Sequence, residues 1–140
     1  MRDCDDDPMS RSLVAWSAAL LVVLAGHDLS HALDSGLNTP LSGLVLVAVP
    51  QWIALGIVMA VIVRGNPARS ALAALVLGIG VTAGFAFIHL LPFATASYWD
   101  LHPSAISWAV AWLPVALGLV LTGLAWTQWR AADKPVATAA

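Results

Sequence analysis

Residues 70–92 read SALAALVLGIGVTAGFAFIHLLP. The stretch holds no Lys, Arg, Asp or Glu, and its apolar residues run on without alternating with polar ones. About 20 such residues, rising about 1.5 Å each as a helix, cross a hydrocarbon core about 30 Å thick. A membrane-spanning strand would need only about ten residues and would alternate apolar with polar, so the stretch predicts a transmembrane helix.

Three further stretches have the same character: 12–33, 43–63 and 104–127. The breaks between them carry turn chemistry: Asp34-Ser35-Gly36 with Asn38-Thr39-Pro40, then Arg64-Gly65-Asn66-Pro67, then Asp100-Leu101-His102-Pro103-Ser104. Short connections make sequential helices neighbours, so the expected fold is an all-α membrane protein, four transmembrane helices in an up-down antiparallel bundle. Residues 12–129 form that domain. The acidic leader 1–11, with Asp3, Asp5, Asp6 and Asp7, and the tail 130–140 read as solvated and unstructured.

Composition agrees. The chain of 140 residues is 60% hydrophobic and 10% charged, with mean hydropathy +0.85, which is a membrane composition rather than that of a soluble globule. Its net charge of −2 includes no basic block that could neutralise a run of phosphates, so nucleic acid is not an expected partner. The single cysteine, Cys4, rules out an intrachain disulfide. The apolar run 13–25 has the length of a signal-peptide core, but the leader before it is acidic where such a peptide is basic.

All six cations fall on one side if four helices cross: Arg2 and Arg11, Arg64 and Arg69, Arg130 and Lys134. Neither opposite connection contains Lys or Arg. Cytoplasmic segments carry the excess of Lys and Arg, so both termini are expected to be cytoplasmic, in an inner or plasma membrane. Trp126 and Trp129 then sit at the inner interface and Trp99 at the outer one.

Within the spans, Gly80 and Gly84 form a G-x-x-x-G pair that lets another backbone approach, from the same chain or from a second subunit. Pro50 and Pro114 interrupt the second and fourth helices, each removing one internal hydrogen bond. Gln51 falls near mid-membrane and needs a partner there.

The chemistry-bearing residues gather at the end without cations. His27 and His31, in AGHDLSHALD at 25–34, are four apart and so share one face of the first helix. Counted from helix starts near Arg11 and Ser70, His27, His31 and His89 lie at roughly 24, 30 and 28 Å along their helices. Asp28 and Asp34 flank the first pair, and His102 follows Asp100 in the outer connection. Neutral imidazole binds zinc, copper, iron and nickel, and carboxylates complete or orient such sites. The leading expectation is therefore a transition-metal site for transport, delivery or assembly. His27, His31 and His89 would be its ligands, Asp28 and Asp34 further or orienting ligands, and Asp100 with His102 the pair that admits or caps the ion.

Three other uses fit the same residues. His27 or His31 with His89 could ligate a haem b axially in an electron-transfer subunit, with Gly26, Gly84, Phe85, Phe87 and Trp112 leaving room for the porphyrin. The cluster could titrate as a pH-sensitive gate. It could also be only the polar cap of an accessory subunit in a larger membrane complex. HDLSH has the spacing of the H-E-x-x-H metalloprotease motif, but Asp28 is one methylene shorter than the glutamate, and no Ser/His/Asp order or phosphate loop points to an enzyme.

Overall fold

The computed structural model describes residues 8–34, 41–91 and 105–132, with side chains described over 10–30, 48–91 and 111–132. Four long helices make up these residues: α1 Pro8–Asp34, α2 Leu41–Arg64, α3 Pro67–Phe85 and α4 Ala105–Ala132, with a π-helical turn, Ala86–Leu90, continuing α3. Segments Ser10–Ser30, Pro67–Leu90 and Ala111–Ala132 are long and apolar enough to cross a membrane, and Ala48–Arg64 is a shorter apolar helix. The chain is a helical protein of membrane-spanning character.

Proline explains most boundaries that differ from the expected ones. Pro8 can open α1 four residues before position 12, because a first-turn residue has no intrahelical use for its N–H. Residues 8–11 are therefore helical rather than leader. At the α2–α3 turn the Gly65 N–H bonds the Val61 carbonyl at 2.8 Å. Asn66 caps α3, its side chain accepting from the Arg69 N–H at 2.9 Å, with Pro67 beginning the helix. The α-helical part of this span ends at Phe85 rather than near 92. Leu91, at ψ 134°, is already extended, as the residue before Pro92 must be. At the other end of the chain α4 runs on to Ala132, past the expected limit of 127 and into the stretch read as tail. Both α2 and α4 run through their prolines, and Pro114 is fully buried.

The closest helix pair is α3 with α4, and its reason is glycine. A Cβ on Gly78 would lie 2.7 Å from the Gly118 carbonyl oxygen and 2.5 Å from Thr122 Oγ1; one on Gly118 would lie 3.0 Å from the Gly78 carbonyl oxygen. Each glycine faces the other helix's glycine and threonine, Gly78 against Thr122 and Gly118 against Thr82. Two G-x-x-x-T segments thus cross backbone to backbone. Thr122 Oγ1 donates to the Gly118 carbonyl at 2.7 Å, so the hydroxyl is satisfied within its own helix. Ala71, Ala74, Ala111 and Ala125, all buried, extend the small-residue contact, and Leu13, Leu20, Leu24, Leu77 and Leu121 fill the core around it.

Within the chain the close approach falls on Gly78 rather than on the G-x-x-x-G pair. Cβ atoms on Gly80 and Gly84 would meet nothing within 4 Å, so among the described residues neither glycine seats another helix. Residues two apart leave a helix on nearly opposite sides, so the face with Gly78 and Thr82 meets α4 while Gly80 and Gly84 look elsewhere.

Candidate functional site

His27 and His89 come together. They are 4% and 7% exposed, and their ring centres lie 5.0 Å apart in an edge-to-face arrangement. Phe85 completes a three-ring cluster, 4.7 Å from His27 and 5.1 Å from His89. Phe85 and His89 are four residues apart on α3 and its extension, the spacing at which side chains on one helix meet. The π-helical turn begins after Phe85, contains His89 and closes with the Leu91 N–H donating to the Ala86 carbonyl at 3.1 Å. This wider winding alters the direction in which His89 leaves the helix, and single π turns recur at functional sites for this reason.

Asp28 turns the other way. Its carboxylate Oδ2 accepts from the Trp52 indole Nε1–H at 2.9 Å, joining α1 to α2 while His27 joins α1 to α3. On the next turn the Ser30 hydroxyl donates to the His27 carbonyl at 2.7 Å. The expected cluster is therefore divided: His27 faces His89, and Asp28 serves as a hydrogen-bond acceptor for Trp52. Trp52 was not singled out from the sequence. An indole N–H within an apolar span always needs an acceptor, and that was the available signal.

The remaining expected ligands are only partly placed. His31 and Asp34 lie on the last turns of α1, with side chains outside the described residues, and Asp100 and His102 lie outside them altogether. Among the described residues no group of three or more His, Cys, Asp or Glu side chains could hold a metal ion. Two of the aromatics expected to wall a porphyrin point away from the interior, Phe87 being 62% and Trp112 51% exposed. Gly26 is likewise exposed and would meet nothing with a Cβ.

Cavities flank the helices among the described residues. One, of about 350 Å³, is a mainly apolar groove along α2 and α3 that includes Gln51, Gly80 and Gly84. Another, of about 320 Å³, lies at the opposite end between Arg11 of α1 and Gly65 of the α2–α3 turn. Near the end of α4, the Trp126 and Trp129 rings meet at a tilt with centres 5.3 Å apart, and the Arg130 guanidinium lies 4.6 Å from the Trp126 ring centre. Such a cation over an indole suits an interfacial belt.

Comparison with protein-family models, with curated proteins and with solved structures finds no match to this chain.

Proposed function

We propose that this is a small integral membrane protein that binds a transition metal ion between α1 and α3 at the end opposite its cations. The observation that carries the reading is the buried pair His27–His89 at 5.0 Å. An imidazole nitrogen holds zinc at about 2.0–2.1 Å, which sets the ring centre about 3.2 Å from the ion; two rings at a tetrahedral angle then lie about 5 Å apart. The observed spacing fits two adjacent ligands of one ion. His31, one turn further along α1, is the candidate third ligand, with Asp34, Asp100 and His102 as candidates for the rest. Asp28 orients α1 through Trp52 instead.

The haem alternative fits less well. Rings on opposite sides of one iron would have centres more than about 6 Å apart with a porphyrin between them, whereas His27 and His89 stand edge to face at 5.0 Å with Phe85 against both. In the proposed arrangement the helices form an up-down bundle with both termini cytoplasmic in an inner or plasma membrane, and the ion enters from the outer side. Delivery, transport or assembly of the metal in a larger complex all use such a site.

The test is metal content of the protein purified in detergent, with its visible spectrum. About one zinc, copper, iron or nickel per chain, or per pair of chains, is expected, lost in His27→Ala and in His89→Ala. Wild-type protein that neither carries nor takes up these ions in titration overturns the reading and leaves a structural role. A Soret band overturns it in favour of haem.

A further inference from the structure

The groove along α2 and α3 sets an open hollow beside a polar group that lipid cannot satisfy. Its floor includes Gly80 and Gly84, over which a Cβ would meet nothing within 4 Å. Beside them Gln51, an exposed primary amide, lines the same groove. Gln51 is thirteen residues before Arg64 and Gly80 thirteen after Pro67, so at about 1.5 Å per residue both lie about 20 Å from the α2–α3 turn, in the middle of a bilayer. Acyl chains offer no hydrogen-bond partner to an amide at that depth.

We propose that this face docks a second copy of the same chain, related by a two-fold axis along the membrane normal. Every copy inserts in the same orientation and so brings its own Gln51 to the same depth. An amide carries both donors and an acceptor, so Gln51 and the partner subunit's Gln51 complement each other across the axis, as an isologous interface requires. Gly80 and Gly84 admit the partner's helix to close backbone distance, with Val76 and Ile88, both exposed, packing at the margins. The face with Gly78 and Thr82 is already filled by α4, so α3 uses opposite small-residue faces within the chain and between chains. The inference is independent of the metal reading.

The test is energy transfer between donor- and acceptor-labelled chains in liposomes across a dilution series in lipid. The full chain is expected to form dimers. Gln51→Leu should weaken them about tenfold and Gln51→Asn less, since interhelical polar contacts in membranes have modest energies, and Gly80→Leu should abolish them. Because the space over Gly80 is open, Gly80→Leu should not lower helix content or the unfolding midpoint of the detergent-solubilised monomer. A second readout uses Cys4→Ser protein carrying Gln51→Cys or, on the exposed face of α1, Val22→Cys: oxidation should cross-link only the former. Wild-type chain that stays monomeric at all dilutions overturns the proposal, as do dimers indifferent to both the Gln51 and Gly80 variants, or equal cross-linking at positions 51 and 22.

Discussion

Asp28 follows His27 directly, yet the two side chains bind different helices, because successive residues leave an α-helix about 100° apart. His27 reaches across to α3 and Asp28 to α2, so two adjacent residues fix α1 against two of its neighbours. The Asp28–Trp52 bond at 2.9 Å is half-buried and has a carboxylate as acceptor, which makes it stronger than a neutral pair. Trp52→Phe keeps the ring's apolar bulk and removes the donor; it should lower stability by about 1 kcal/mol. Asp28→Asn keeps a carbonyl acceptor for the indole and should cost less. Unfolding midpoints in detergent check the order, and a Trp52→Phe midpoint equal to wild type would show that the bond contributes nothing net. The sequence brought His27 and His89 to one depth by counting residues. It could not show that Asp28 would be engaged by Trp52, since contact across helices depends on rotation about each axis as well as height.

At the scale of elements, α3 carries two small-residue patterns in one run, GIGVTAG at 78–84. Gly78→Ala would drive a Cβ into Gly118 and Thr122 backbone atoms at 2.7 and 2.9 Å, which cannot move as a flexible side chain could. The expected cost is about 1–3 kcal/mol. Gly80→Ala meets open space and gains helix propensity, so the monomer should change by less than about 1 kcal/mol, in the favourable direction. Reversed effects in denaturant titration would mean that α4 packs on the other face. The four helices were legible because each apolar run is continuous and near membrane length. The packing face was less so: the clue was the repeat of G-x-x-x-T in α4, GLVLT at 118–122 against GIGVT at 78–82, which pairs the two helices more specifically than G-x-x-x-G in one of them. The π turn before Pro92 left no comparable signal, because its form depends on how the end of α3 meets α1.

For the whole molecule, charge is the property from which a direction for the four helices is expected. Arg11, Arg64, Arg69 and Arg130 stand at helix ends, and the pocket shared by Arg11 and Gly65 brings the start of α1 to the α2–α3 turn. The His27–His89 pair lies toward the other ends of α1 and α3, so the imidazoles and the guanidinium groups are separated by most of a membrane thickness. If the cations hold their end in the cytoplasm, a reporter that folds only there should be active when joined after Ala132, and one that matures only outside should be active when inserted at 35–40. The two readouts should exchange, at least in part, when Arg64 and Arg69 become Gln and lysines are placed in both opposite connections, because Lys and Arg near helix ends set the insertion sense. Active cytoplasmic reporters at both positions would mean that not all of α2, α3 and α4 cross. An orientation unmoved by the charge exchange would show that Arg64 and Arg69 do not set the direction. The outcome also bears on the metal site, since only the expected orientation exposes the His-bearing end to ions outside the cell, whereas the inverse would make it a cytoplasmic acceptor.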